Sequence, residues 1–275
     1  MKSTREVRVV EKNKYKIATI GDNCIDYYVQ TQEAFPGGNP VNVAVYAKRL
    51  GHDAAYIGVV GDDENGQIIR KALKQKNVDI SHLHVSSGST AITEVTMENG
   101  NRVLGDYHEG VLEQFKLTAA DKEFAGTHDL IVSGIWGKIE HELEALSTYG
   151  KPIAFDFADK MNHPVVQMAL PYVDYAFFAS ETRNEQELKK TMKQLYAQGP
   201  KVIIVTLGER GSIAYDGTAF ITYGIEPCEV VDTMGAGDSY IAGFLIAMLS
   251  GLSLEHCMAA GAQNSSVTIA YNGAW

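Results

Sequence analysis

One short segment near the carboxyl end, residues 232–239, constrains this chain more than any other part of its sequence. It reads Asp-Thr-Met-Gly-Ala-Gly-Asp-Ser and leads into an apolar run that ends at Leu249. Apolar side chains recur in that run with the spacing of one buried helix face, and they are Ile241, Phe244, Leu245, Met248 and Leu249. The Gly-Ala-Gly turn is therefore predicted to open a helix, whose free N–H groups and positive dipole end form a site for an anion.

Asp238 adds a carboxylate to the first turn of this predicted helix. A carboxylate beside an anion site repels a phosphate unless it has another role, and accepting a proton from an attacking hydroxyl is such a role. The alternative is a glycine-rich turn whose aspartate only caps the helix. The flanking Asp232-Thr233 and a second motif upstream favour the catalytic interpretation.

The second motif is residues 37–44, with the sequence Gly-Gly-Asn-Pro-Val-Asn-Val-Ala. It also runs from a glycine pair into a predicted helix, since Pro40 suits a first helical turn and Gly51 suits the position after a helix end. Asn42 lies near the start of that helix and offers both a donor and an acceptor, as a sugar hydroxyl requires. A solvated helix residue is the alternative for Asn42.

Composition excludes several classes of function. The chain of 275 residues carries a formal net charge of −10, which disfavours nucleic acid as a partner. Residues 1–16 are basic and polar without the apolar core of a signal peptide, so we expect an N-terminal extension ahead of a single domain at 17–275. No segment approaches the apolar length of a membrane span, which argues against a membrane partner. The three dispersed cysteines indicate free thiols and a cytoplasmic protein.

Strand and helix patterns alternate along most of the chain. Strands are predicted at 17–20, 55–60, 130–135, 152–157, 175–179 and 202–206, and helices at 66–76, 138–149, 182–197, 239–250 and 254–271. This alternation is typical of an α/β fold with a mostly parallel sheet covered by helices on both faces. Segments at about 26–36 and 90–107 interrupt it, the second around an Asn99-Gly100 hairpin turn, and both are assigned to a small β lid. A further hairpin is predicted at 213–222.

Together, the two glycine-rich motifs resemble the signatures of the ribokinase-like (PfkB-type) carbohydrate kinases, in the same order and at a similar separation. The resemblance covers nearly all of residues 16–275. It implies a ribokinase-like three-layer αβα sandwich with a β lid, and ATP-dependent transfer of a phosphoryl group to a sugar hydroxyl. Small-molecule sugar and ATP are the implied partners.

The same resemblance implies a role for each matching residue. Asp238 corresponds to the catalytic base. The N–H groups that correspond to the anion hole belong to Gly235, Ala236 and Gly237. The residues that correspond to sugar ligands are Asp26, Gly38 and Asn42, and those at the nucleotide site are Thr206, Gly208 and Asn264. The implied cofactors are ATP and Mg²⁺, with a monovalent cation as a further implication for the loop at Asp232 and the C-terminal loop.

Two departures from the family pattern bear on the metal and the sugar. The family motif N-x-x-E, which helps to hold Mg²⁺, is expected after the strand at 175–179, where this chain has Ser-Glu-Thr-Arg. Either Glu181 or Glu185 takes over, or ATP and water hold the metal, so the protein's own metal ligands are left open. Cys24 replaces a polar residue of the ribose kinases, which argues against ribose.

Four shorter segments resemble the branch of this family that phosphorylates O6 of fructoselysine, and they are residues 21–26, 102–110, 154–160 and 273–275. Fructoselysine carries a secondary ammonium and an amino-acid end. Asp106 and Glu109 are candidate partners for its cations, and Arg102 or Lys160 for its carboxylate. Another ketose or a nucleoside is the alternative acceptor, and a non-catalytic sugar or nucleotide sensor is the alternative from another class. The exposed strand edges of a lid also suggest a homodimer through it.

Overall fold

The computed structural model describes residues 14–98 and 101–275, whose strands form two sheets. The strands are β1 (Lys16–Ile20), β2 (Cys24–Tyr28), β3 (Glu33–Gly37), β4 (Asp53–Gly61), β5 (Leu83–Ser86), β6 (Ile92–Glu98), β7 (Asn101–His108), β8 (Leu130–Gly134), β9 (Ile153–Asp156), β10 (Tyr175–Ala179), β11 (Val202–Thr206), β12 (Ser212–Tyr215) and β13 (Phe220–Tyr223). The main sheet has nine strands in the order β13-β12-β11-β10-β9-β8-β1-β4-β5. Only the β11–β12 and β12–β13 pairs are antiparallel, so the hairpin predicted at 213–222 is confirmed as one edge of this sheet.

The described residues form eight α-helices, and four of them lie on each face of this sheet. They are α1 (Asn39–Arg49), α2 (Glu64–Gln75), α3 (Ala119–Gly126), α4 (Leu143–Ser147), α5 (Pro164–Ala169), α6 (Glu185–Tyr196), α7 (Ala236–Leu249) and α8 (Leu254–Thr268). Alternate residues of a strand enter two different cores, as Leu130 and Ile131 of β8 do. Helices α1, α2, α7 and α8 cover the first core, and α3 to α6 cover the second. The predicted three-layer αβα sandwich is confirmed.

Two helices differ from their predicted form. Helix α7 begins at Ala236 and is buried along most of its surface, because it packs between α1 and α8 rather than presenting one face to solvent. The helix predicted at 138–149 is reduced to α4, preceded by short 3-10 turns. Lys138 has a left-handed backbone with φ of 55°, which is incompatible with a helix that starts there.

The second sheet contains the segments assigned to the lid. Its four strands have the order β3-β2-β6-β7, with β2 and β6 parallel and the outer pairs antiparallel. Its edge strand β7 carries Tyr107, whose pKa is raised by burial and then by the charge of Asp22. The predicted Asn99-Gly100 turn lies outside the described residues.

The first strand of the described residues, β1, begins at Lys16. The N–H of Lys16 donates to Asp129, and the N–H of Tyr15 donates to His52. Both residues were assigned to the extension at 1–16, of which residues 1–13 lie outside the described part. Within the described residues no helix has the length and apolar character needed to cross a membrane.

Candidate active site

The two glycine-rich motifs open two helices that pack against each other. Gly38 precedes α1 with φ of 111°, and a Cβ there would lie 2.7 Å from the Cα of Asn23. Gly235 precedes α7 with φ of 72°, and a Cβ there would lie 2.2 Å from the hydroxyl of Tyr46. Both positions therefore require glycine, for conformation as well as for space. The N-terminal turns of α1 and α7 meet at Asp238.

Asp238 is held by two amides from α1. Nδ2 of Asn39 donates to Oδ1 at 2.7 Å, and Nδ2 of Asn42 donates to Oδ2 at 2.6 Å. Burial raises the pKa of Asp238 above its usual range, while the two amide donors act in the opposite direction. The carboxylate is thus fixed in orientation, and its basicity is increased by its surroundings.

Asn39 connects Asp238 to two further aspartates. Its Nδ2 also donates to Oδ2 of Asp156 at 2.9 Å, and its backbone N–H donates to Oδ2 of Asp22 at 3.3 Å. Asp22 follows β1, and Asp156 ends β9, so both lie at the carboxyl end of the parallel sheet. Burial and the negative charge of Asp238 raise the pKa values of Asp22 and Asp156 to about 7.

The C-terminal loop closes one side of this cluster. Nε1 of Trp275 donates to Oδ1 of Asn42 at 2.7 Å, so the amide of Asn42 is used at both ends. The hydroxyl of Tyr46 donates to the carbonyl of Ala274 at 2.6 Å. Asp232 joins this loop to the α7 turn, because its carboxylate accepts from the N–H groups of Met234 and Gly273 at 2.8 and 2.7 Å.

The start of α7 is suited to an anion. Within the described residues, no backbone carbonyl accepts from the N–H groups of Gly237 or Asp238, as is usual in a first helical turn. No side chain caps the helix at Gly235, and a Cβ at Gly237 would project into open space. Free donors, the helix dipole and open space together favour a phosphate group here.

A sequence profile of the pfkB family carbohydrate kinases matches residues 8–275. The chain belongs to this family. The match confirms the resemblance found in the two motifs. It begins within the segment expected to be an extension.

Curated members of the pfkB family include relatives at high identity. A fructoselysine 6-kinase of Shigella flexneri is 46% identical over 259 residues, which cover 94% of this chain and 99% of the relative. A fructosamine kinase of Bacillus subtilis (strain 168) is 33% identical, over 94% of this chain and 93% of the relative.

Solved structures show the same fold. A ribokinase of Arabidopsis thaliana, complexed with ribose and ATP, superposes with a TM-score of 0.86 at 22% identity, over 95% of this chain and 94% of that one. A putative ribokinase II of E. coli, in complex with ATP and Mg²⁺, has a TM-score of 0.81 at 18% identity, over 94% of each chain.

The predicted sugar ligands lie close to this centre. Asp26 is a buried residue of β2, and its Oδ1 lies 3.4 Å from Sγ of Cys24. Gly38 caps α1, and Asn42 binds Asp238 directly. Sugar binding by these residues stays a prediction, and for Asn42 the structure adds a contact with the catalytic candidate.

The residues predicted to bind the nucleotide differ in their exposure. Thr206 ends β11, and Gly208 lies on the exposed turn that follows, with space for a ligand beside it. Asn264 is buried, and its Nδ2 donates to the carbonyl of Ser239 at 2.7 Å. Its Oδ1 accepts from Arg49, also at 2.7 Å. These bonds to residues of two neighbouring helices explain why Asn264 is buried there. Its role in nucleotide binding stays a prediction.

The two metal candidates differ in their surroundings. Glu185 forms an ion pair with Lys189 at 2.5 Å, whereas Glu181 is exposed ahead of α6. An N-x-x-E pattern missed in the sequence begins at Asn184, whose side chain accepts from the N–H of Glu187 and caps α6. No group of three or more His, Cys, Asp or Glu residues in the described ranges is arranged to hold a metal ion.

Sequence reasoning missed the central place of Asn39. Asp22, Asp156 and Trp275 lay within segments noted for their resemblance to the fructoselysine branch, but no role was assigned to them. Asn39 stands inside the second motif, between Gly38 and Pro40. Its position in the motif was the only sequence feature that indicated a role, because its partners Asp156 and Asp238 are 117 and 199 residues away in sequence.

Proposed function

We propose that this chain transfers the γ-phosphoryl group of ATP to O6 of fructoselysine. Relatives with this specificity in their names share 46% of their residues with the chain over nearly its full length. The observation that carries the proposal is the setting of Asp238. Its carboxylate lies at the anion-binding start of α7, among residues from three of the segments typical of the fructoselysine branch, namely Asp22, Asp156 and Trp275.

The proposed reaction is a direct displacement at phosphorus. O6 of the sugar attacks the γ-phosphorus while Asp238 accepts the hydroxyl proton. The bond from phosphorus to the β–γ bridging oxygen breaks, and ADP leaves with that electron pair. Asp238 then releases the proton to solvent. Each carboxylate oxygen has two acceptor sites, so one remains for the hydroxyl after each amide bond is made. The amides of Asn39 and Asn42 orient the acceptor before the reaction.

The start of α7 supplies donors for the negative charge of the phosphoryl group. The N–H groups of Gly235, Ala236 and Gly237 are the proposed anion hole. Among the described residues no backbone carbonyl accepts from Gly237, whereas the N–H of Ala236 makes a long bond of 3.3 Å to the carbonyl of Thr233. The open space beside Gly237 accommodates phosphate oxygens. Mg²⁺ bound to ATP would neutralise phosphate charge. Because the described residues offer no three-ligand cage, ATP and water would hold most of its coordination sphere. Glu181 is the less encumbered of the two predicted carboxylates.

Three further properties belong to the proposal. The lid, with Asp26 on β2, would cover the sugar and exclude water that competes with O6 for ATP. Its edge strands β3 and β7 support a homodimer through the lid. A cytoplasmic location accords with the need for ATP and with three cysteines outside any disulfide. The monovalent cation near Asp232 stays a prediction.

The test is an acceptor screen on the purified protein with saturating ATP and Mg²⁺. ADP release is measured with fructoselysine, fructose, ribose and a nucleoside, and phosphorus–proton correlation NMR locates the phosphate in the product. We expect the highest kcat/KM with fructoselysine and a phosphate on C6. A preference for fructose would leave the kinase reaction and remove the substrate claim. Ligand binding without ADP release from any acceptor would favour the non-catalytic sensor.

A further inference from the structure

Asp22 is a buried carboxylate whose bonding is incomplete. Only 6% of its surface is exposed. Its Oδ2 accepts a long bond of 3.3 Å from the N–H of Asn39, and its Oδ1 has no hydrogen-bond partner among the described residues. Oδ1 of Asn39 is a second buried acceptor in the same cluster that lacks a partner there. Buried acceptors without donors are costly, so their presence at a substrate site points to a ligand that donates.

The charge around Asp22 is also uncompensated. Within the described residues, no lysine, arginine or histidine forms an ion pair with Asp22, Asp156 or Asp238. Three aspartates thus lie around Asn39 without a cation from the described protein, and a bound cation would relieve their repulsion. A metal ion is disfavoured, since no three acidic groups in the described part of the chain converge on one point. An organic ammonium fits better, because its N–H donors point in several directions.

The position of Asp22 indicates which part of the substrate it meets. Asp156 and Asp238 share a single donor, Nδ2 of Asn39, so Asp156 lies near the reacting end of the sugar. Asp22 instead accepts from the backbone N–H of Asn39, and not from its side-chain amide. In a fructosyl amine, C1 and C6 are opposite ends of the sugar carbon chain. With O6 at Asp238, the amine on C1 is directed away from it.

Resting on the proposed function, we infer that Asp22 binds the secondary ammonium attached to C1 of the substrate and thereby selects fructosyl amines over neutral sugars. This assignment revises the partners expected from the sequence. Asp106 is exposed, and Glu109 already pairs with Lys138. Lys160, a candidate for the substrate carboxylate, pairs with Asp159 at 2.9 Å.

The test compares two acceptors of similar size, 1-deoxy-1-butylamino-fructose and 1-O-butyl-fructose, which differ in one heavy atom, the amine nitrogen or the ether oxygen. Wild-type protein is expected to prefer the amine. Asp22→Asn should lower the amine-to-ether ratio of kcat/KM about 10- to 100-fold, as expected for loss of a charge-assisted bond. Asp159→Asn, an exposed substitution with the same change of charge, should keep the wild-type ratio.

An amine-to-ether ratio that is unchanged in Asp22→Asn, including the case of an equal loss on both acceptors, would overturn the inference. Thermal unfolding serves as the folding control, and Asp22→Ser is a smaller neutral variant with the same expected ratio. Removal of a buried unpaired carboxylate should not lower the unfolding temperature. Failure of the wild type to phosphorylate fructoselysine would be a separate result, since it would reject the proposed function before Asp22 is tested.

Discussion

Nδ2 of Asn42 donates a 2.6 Å hydrogen bond to Oδ2 of Asp238, across 196 positions of the sequence. This bond joins the helix of the first glycine-rich motif to the helix of the second. It also fixes one oxygen of the proposed base and favours its charged form. The two signatures therefore form one structural unit, in which the first motif orients the carboxylate supplied by the second.

Replacing Asn42 by alanine should raise the pKa of Asp238, because a donor to the charged carboxylate is lost. A base must be deprotonated to act, so the acid limb of the kcat/KM profile should move to higher pH. At pH 7 we expect a loss of roughly tenfold or more. The measurement is kcat/KM against pH for both proteins. A uniform loss with an unmoved acid limb would assign Asn42 to sugar binding alone.

Trp275→Phe removes the donor to Oδ1 of Asn42 while keeping an aromatic ring. The Asn42 amide is then held at one end only, and kcat should fall about 2- to 10-fold, as for loss of one neutral hydrogen bond. Trp136→Phe is the matched control, since Trp136 is 49% exposed. Equal kinetics of the two variants would show that the Trp275 bond does not contribute.

The two glycines of the α7 turn should respond differently. Gly235→Ala places a Cβ against Tyr46 in a left-handed conformation, and we expect a loss of about 1–3 kcal/mol in unfolding free energy. Gly237 lies inside the helix with open space beside it, so Gly237→Val should fold yet crowd the phosphate and lose activity. Circular dichroism and kcat separate the two effects. Wild-type turnover by Gly237→Val would move the anion hole elsewhere.

Asp156→Asn should change how stability depends on pH. The pKa of Asp156 is raised from 3.8 to about 7, so the folded state binds its proton more tightly than the unfolded state. Its contribution to stability is therefore lost as pH rises from about 4 to about 7. Relative to wild type, the variant should become more stable across that window. A difference in unfolding temperature that is constant with pH, or shrinks, would contradict this.

Sequence patterns predicted the scaffold well where each element is determined locally. Strands β10 and β11 match their predicted bounds, because each is a short apolar run buried on both faces. The meeting of the two motifs at the carboxyl ends of parallel strands also followed from strand and helix order. Helix α3 was missed, since its capping box pairs Thr118 with Asp121 rather than with the usual glutamate.

The hydrogen-bond network of the site could not be predicted in the same way. Asn39 bonds to Asp22, Asp156 and Asp238 only because α1, β1, β9 and α7 meet in space. The residues next to Asn39 in sequence do not distinguish an asparagine that bonds to three distant aspartates from one that only caps a helix. The burial of most of α7 could not be predicted for a related reason, because the helix that covers its second face, α8, is a separate element.

The most direct test of the account is single-turnover and steady-state kinetics of Asp238→Asn with ATP and fructoselysine. Asparagine keeps the size of the side chain and removes the proton acceptor. We predict that kcat falls by roughly 10²–10⁴ while the Kd for ATP and the circular dichroism spectrum stay unchanged. A correctly folded Asp238→Asn protein that turns over fructoselysine at a near-wild-type rate would contradict the central claim.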